Sequence, residues 1–500
     1  MREPGRGDLA WRGEYAPEAQ MTHHAGCFHF IGLVVLIAGC QGLPSDARLA
    51  APSPEVSTAP SGASVAPAPT ARPWLQPASS PSPTPASAIL PGAVDRSSLD
   101  LTATYDVHLD VAVDSGVVTV ETEIHVRNDS GGPIDRLELN TVATRLGDLA
   151  ITAAAVDDRP VSVVIDDQTL LVPLGGVLAE KSAATVRLGY KATLRHDLAG
   201  SDWLFSRAGG TLALYRWIPW VSRAIPFDRP NHGDPFVTPT SPRVQIEVGT
   251  DRPMVLASPD NAPVEAGRTW RLDLRDVRDV AIVLAPDFTV TTGESDGIAI
   301  RAYTRPGGLD GDRLVSQAAH ALASMADRLG IAYPWPALTV VETEGGYGME
   351  SPGLIWVPSG TAPGNLSYLV HHETAHQWFY GLVGSDQQAE PFADEATADY
   401  LARTVLGLHR ASRCNRAPLD GAITEYSSAC YYEVVYIQGG IVLDDLRERV
   451  GTTRFWAAIR GYIEASRFGL GGTRQLLDAI TAASAADLLP LLRARFPSLY

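Results

Sequence analysis

Apolar and polar residues alternate with a period of two through the first part of the folded chain. The run Tyr105-Asp106-Val107-His108-Leu109-Asp110-Val111 alternates strictly, and residues 117–126 repeat the pattern a few positions later. Shorter runs of the same kind lie at 170–174, 184–190, 244–248, 270–274 and 280–284. Such alternation marks a strand with one buried face. Short strands separated by turn residues predict an antiparallel, sandwich-like β domain over residues 98–292. After about residue 309 the period changes. Residues 309–331 have helical spacing, 338–342 read as a strand, and 366–379 read as a helix closed by Gly381 and Gly384. Pro391 suits the first turn of the next helix. The remainder, to Tyr500, reads as helical with short loops. The predicted class is therefore a multidomain α+β chain, with the β domain followed by a mainly helical domain over 293–500.

Composition adds room for this and narrows the partners. The chain has 500 residues, 45% of them hydrophobic, enough for more than one core. Its net charge of -17 argues against a nucleic-acid partner, which needs a basic face. Residues 28–39 form a twelve-residue apolar run, too short to span a bilayer as a helix. It ends in Leu36-Ile37-Ala38-Gly39-Cys40, which is similar to the lipobox of bacterial lipoproteins, where the Cys is lipidated and becomes the mature N-terminus. Residues 1–40 are thus read as a signal and lipobox segment, with Met21 as an alternative start. Residues 41–97, rich in Pro, Ala and Ser, read as a disordered stalk. An exported cell-envelope lipoprotein, tied to the membrane through Cys40, is the expected location. Cys414 and Cys430 remain as an even pair outside the cytoplasm and are expected to form a disulfide.

The strongest chemical signal is His372-Glu373-Thr374-Ala375-His376, followed after eighteen residues by Glu395. Two His at i and i+4 share one face of a helix, so their imidazoles can converge on one small cation. Glu373 can lean over the same ion, and Glu395 can return on a second helix. Two His, one Glu and an open fourth position form the ligand set of a catalytic zinc, here one Zn²⁺ per chain. The short motif itself is that of metalloproteases.

With its flanks, the segment HHETAHQWFYGLVGSDQQAEPFADEATADYLA resembles the zinc segment of the aminopeptidase N family, the gluzincin aminopeptidases, down to Gln377-Trp378 after the second His. Tyr347-Gly348-Met349-Glu350-Ser351 is similar to that family's G-A-M-E-N motif and stands twenty-two residues before His372, counted from Glu350. Tyr436-Ile437-Gln438-Gly439 is similar to its Y-x-K-G motif, with Gln438 in place of Lys. The resemblance covers roughly residues 98–500. It implies a thermolysin-like catalytic domain over 293–500.

The resemblance also implies roles. His372, His376 and Glu395 would hold zinc. Glu373 would be the general base and acid. Tyr436 would donate to the developing oxyanion, with Tyr431 and Tyr432 as rivals. Glu350 would bind the α-ammonium of a peptide substrate, with Gly348 and Met349 also in the substrate site, and the flanking glycines would let the backbone approach an extended peptide. A second amine anchor from the β domain has no clear match around residues 216–220. Asp399 is a candidate to orient a ligand imidazole, whereas Asp394 and His371 are read as pointing away from the metal. The expected function is an aminopeptidase acting on peptides. The alternatives are a related gluzincin hydrolase or endopeptidase without an amine requirement, and a non-catalytic peptide-binding surface protein. Oligomeric state is not encoded legibly.

Overall fold

The computed structural model describes residues 88–223 and 236–500. The predicted signal segment with Cys40, and all but the end of the predicted stalk, lie outside the described residues.

The β region is built on a long hairpin, Leu101–Ala112 with Val117–Asn128. Its inward positions, among them Leu109, Val118, Val120 and Ile124, are fully or almost fully buried. Ala183–Thr193 extends the sheet antiparallel beside the second strand. On the other side Val244–Thr250 lies parallel to Leu101–Ala112, with Tyr105 opposite Val244. The expected all-antiparallel arrangement is corrected at this one seam. Two smaller sheets, one containing Ile134–Asn140 and Thr169–Leu178, the other Thr211–Leu214 and Ile282–Ala285, share one hydrophobic core with the large sheet. Each fully buried Leu or Val in that core contributes about 1.5–3 kcal/mol.

The C-terminal region opens with a five-stranded sheet in the order Thr289–Ser295, Ile298–Thr304, Ala337–Thr343, Leu354–Pro358, Met349–Ser351. The boundary expected between 292 and 293 falls inside the first of these strands. That strand is an exposed edge of Thr, Gly and Glu, so its apolar pattern is too weak to read. The inner pairs are parallel, and the last strand is an antiparallel edge. Helix Gly311–Leu329 buries Leu314, Ala318, Leu322 and Met325 at helical spacing. Asp310 caps it by accepting from the Arg313 N–H at 3.2 Å, and Gly330 ends it at φ 65°.

Helices Pro363–Ala375 and Glu395–Leu406 pack together, and Gly439–Val450, Thr452–Ala465 and Thr473–Ala482 complete the helical core. Two expectations need correction. The helix carrying the His pair ends at Ala375, before Gly381; Gly381 is small because a Cβ there would meet the Trp335 ring at 2.8 Å. Residues 407–432 are also largely irregular, not helical. They are cross-linked by the disulfide Cys414–Cys430, with Cα atoms 5.9 Å apart. Among the described residues no helix is long and apolar enough to cross a membrane.

Candidate active site

His372 stands in the last turn of helix Pro363–Ala375, and His376 caps its end. Glu395 opens the neighbouring helix. Their ligand atoms form a nearly equilateral triangle. His372 Nε2 is 3.2 Å from His376 Nε2, and Glu395 Oε2 is 3.5 Å and 3.4 Å from the same two nitrogens. A tetrahedral ion bound at about 2.0–2.1 Å separates its ligands by about 3.3 Å, so the triangle has the size of one face of a zinc tetrahedron. Glu395 Oε2 is buried without a hydrogen-bond partner of its own. Such an orphan is costly unless a cation is its partner.

The electrostatics agree. Burial alone would depress the His376 imidazole, yet the Glu350 and Asp394 carboxylates outweigh it and push the pKa well above its ordinary value. Burial would raise the Glu395 carboxyl, yet the two imidazoles hold it far below the usual carboxylate range. The pocket therefore draws positive charge to the point where the three ligands meet.

The two imidazoles are held differently. His376 Nδ1 donates to Asp394 Oδ1 at 2.7 Å, and Asp394 Oδ2 accepts from Gln387 Nε2 at 2.8 Å. His372 lies between aromatic rings, stacked on Tyr368 at 5.7 Å and on Tyr436 at 5.5 Å between centroids. Its Nδ1 is buried without a partner. Asp394 overturns the reading that it points away. It precedes the helix, where the turn Pro391–Ala393 aims it at His376. Asp399 does not touch a ligand imidazole. It accepts from the Tyr368 hydroxyl and, at 2.7 Å, from Arg403 Nε, and so supports His372 only through the stacked Tyr368 ring. His371 is no ligand either. Its Nδ1 meets the Ser367 carbonyl at 2.7 Å, and its Nε2 meets His320 Nδ1 at 2.8 Å.

Glu350 and Glu373 are both buried, and their carboxylate oxygens and a His376 nitrogen lie within 4.8 Å of one another. Glu350 sits on the edge strand Met349–Ser351, paired with Ile355. Gln387 Nε2 reaches its Oε1 at 3.4 Å. The strand is fixed from below, because the Ser351 hydroxyl donates to Asp279, which also accepts from the Tyr380 hydroxyl. Arg216 Nη2, from the β region, donates to Tyr380 Oη at 2.7 Å. Tyr380 has φ 135°, a backbone strain this network holds in place. At Gly348 a Cβ would meet the Glu373 carboxylate and the Leu369 side chain, so a larger residue there would have to push that carboxylate aside. Met349, beside Glu350 on the same strand, is buried in the hydrophobic core shared with the β region.

Tyr436 belongs to a π-helical stretch, Glu433–Gln438. Such irregularities recur at functional sites. Burial first, then the Glu395 carboxylate, pushes its hydroxyl pKa well above the ordinary value, so it stays protonated. Tyr432, a rival candidate, is engaged elsewhere, accepting from Arg403 Nη2 at 2.8 Å. Gln387, Tyr368 and the Arg216–Tyr380–Asp279 network were not legible in the sequence. The only signal was the density of polar residues between His376 and Glu395.

The chain is 21% identical over 428 residues to Aminopeptidase M1-C of Oryza sativa subsp. japonica, covering 77% of this chain and 48% of that protein. It is 21% identical over 408 residues to Aminopeptidase M1 of Arabidopsis thaliana, covering 70% of this chain and 46% of that protein. The chain thus spans about half the length of the curated relatives it matches. Among solved structures, the M1 zinc metallopeptidase from Deinococcus radiodurans superposes with a TM-score of 0.62 at 19% identity, over 81% of this chain and 95% of that one. The chain has the aminopeptidase N family fold and its zinc-site motif. A mutant of the Deinococcus enzyme, bound to a Tyr-Ser-Ala substrate, superposes with a TM-score of 0.63 at 19% identity, over 81% of this chain and 95% of that one. No family model matches. The aminopeptidase N family fold accounts for the β region preceding the two helices, and the triangle of His372, His376 and Glu395 is a candidate zinc site within it.

Proposed function

We propose that this protein is a zinc-dependent aminopeptidase that removes residues from the N-terminus of peptides. The observation that carries this is the zinc-sized ligand triangle with Glu350 and Glu373 buried beside it. Zinc held by His372, His376 and Glu395 would supply Lewis acidity, polarising the scissile carbonyl and acidifying water. Glu373 takes the proton from the attacking water and returns it to the leaving amine. Tyr436, kept protonated, donates a hydrogen bond to the oxygen that gains charge. Glu350 pairs with the substrate's α-ammonium, a charge-assisted contact that fixes the cut one residue from the end. The edge strand Met349–Ser351 gives an extended peptide a backbone to lie against. The peptide seen on the Deinococcus mutant supports peptides as the substrate class.

The test compares aminoacyl anilides with their N-acetylated forms on the zinc-loaded protein. Free amines are expected to be cleaved and blocked ones spared. Glu350→Ala should raise KM for free amines about tenfold or more. Equal cleavage of blocked substrates would remove the amine requirement and leave an endopeptidase.

We also propose export and lipid anchoring at Cys40. The apolar run ending in Leu36-Ile37-Ala38-Gly39-Cys40 and the Pro-rich stretch after it support this, as does the disulfide Cys414–Cys430. Replacing Cys40 with Ala should move the protein from the membrane fraction to the soluble one, and retention in the membrane would refute the anchor.

A further inference from the structure

Beside the π-helical stretch, a cleft of about 300 Å³ opens to solvent, lined in part by Arg416, Gln438, Ile441, Asp445, Leu491 and Arg495. Arg495 is only 5% exposed. A guanidinium so buried normally meets a carboxylate. Here its Nη2 donates to the neutral Gln438 Oε1 at 2.9 Å, and its Nε has no partner. Burial, and after it the like charge of Arg416, pulls its pKa down to about 10. Among the described residues no carboxylate lies within 4.0 Å of either guanidinium. Two guanidiniums without a carboxylate contact in one cleft offer donors to a carboxylate. Asp445 is exposed on the same cleft and supplies the opposite charge. Ile441, 41% exposed, and Leu491 supply an apolar surface beside them. Carboxylate receptor, ammonium partner and apolar patch together complement the three parts of one small molecule.

We propose that this cleft binds a free apolar α-amino acid as its zwitterion. The carboxylate lies against Arg416 and Arg495, the ammonium against Asp445, and the side chain on Ile441 and Leu491. The site is separate from the zinc triangle and does not depend on the proposed peptidase activity. It would nonetheless take the kind of molecule that activity releases. Gln438, which shares the Arg495 contact, is two residues from Tyr436.

The test is calorimetric titration of L-leucine into the full, zinc-loaded chain, in the wild type and in Glu350→Ala, Arg416→Gln and Asp445→Asn variants. A binding component is expected that survives Glu350→Ala and weakens about tenfold or more in each of the other two. Because Arg416 and Asp445 are exposed, those variants should keep the wild-type melting temperature without ligand. They should lose the rise in melting temperature that leucine gives the wild type. 4-Methylpentanoate and isopentylamine, each lacking one charge, should bind about tenfold more weakly than leucine. The proposal is overturned if no leucine component survives Glu350→Ala, or if Arg416→Gln leaves that component within about twofold. It is also overturned if 4-methylpentanoate or inorganic phosphate binds as tightly as leucine, which would make the cleft a bare anion site. Failure of any arm leaves the anilide assay untouched, so the two readings fall separately.

Discussion

Glu350 and Tyr436 flank the imidazoles of His376 and His372 on unlike backbone. Glu350 rides a strand paired to its neighbour, and buried polar groups drawn from the β region, Asp279, Tyr380 and Arg216, lock that strand. Tyr436 rides a π-helical stretch whose neighbours are side chains and a cross-link. Gln438 donates to the Cys414 and Asn415 carbonyls at 3.2 and 2.9 Å and accepts from the Ala417 N–H at 3.2 Å. Glu433 pairs with Arg410 and Arg413. The disulfide Cys414–Cys430 closes the same segment. One wall is set by tertiary packing, the other by local bracing. The proposed substrate anchor therefore draws on the whole fold, whereas the proposed oxyanion donor depends on a loop. The departure from the family's Y-x-K-G fits this picture. Gln438 Oε1 must accept from two donors, and a lysine there would set an ammonium against Arg495.

The largest effect should come from the group between the walls. Glu373→Gln is expected to lower kcat about a thousandfold or more while metal analysis still finds one zinc per chain. Loss of zinc in that variant would mean the carboxylate holds the site together and does not carry the proton. Tyr436→Phe tests the helical wall alone, with kcat expected to drop about a hundredfold or more and KM for aminoacyl anilides to hold. An unchanged kcat would return the role to another group. Reducing Cys414–Cys430 should cost about 3 kcal/mol of stability for a loop of this length. If the comparison is right, kcat suffers and the preference for free amines persists; a lost preference would show the walls are not independent. The smallest effect sharpens the contrast between the imidazoles. Asp394→Asn should weaken zinc binding about tenfold or more in a chelator competition, because His376 alone relies on that hydrogen bond.

The convergence of His372 and His376 was legible because helix geometry fixes it: four residues bring two imidazoles onto one face, whatever surrounds them. The long hairpin was legible because its alternation is strict. Asp394 was not, because a helical projection assumes a helix, and the chain there is a short turn that aims the side chain back at His376. Strand Thr289–Ser295, which the expected boundary at 292 cuts, was hidden by its exposed polar face, which erased the pattern. Residues 407–432 have no period to read, since a disulfide and side-chain bonds to Glu433 and Gln438 do the work that backbone periodicity does elsewhere. Gln387 carries only the weak signal of a polar-rich stretch, because its importance lies in meeting Glu350 and Asp394, which a local pattern does not reveal.

The parallel pairing of Tyr105 with Val244 has a consequence for biogenesis. During vectorial synthesis the hairpin Leu101–Asn128 can close as soon as it emerges, but its other edge must wait until the chain has been made past residue 250. Until then that edge is an uncovered row of backbone donors and acceptors, open to mispairing with other chains.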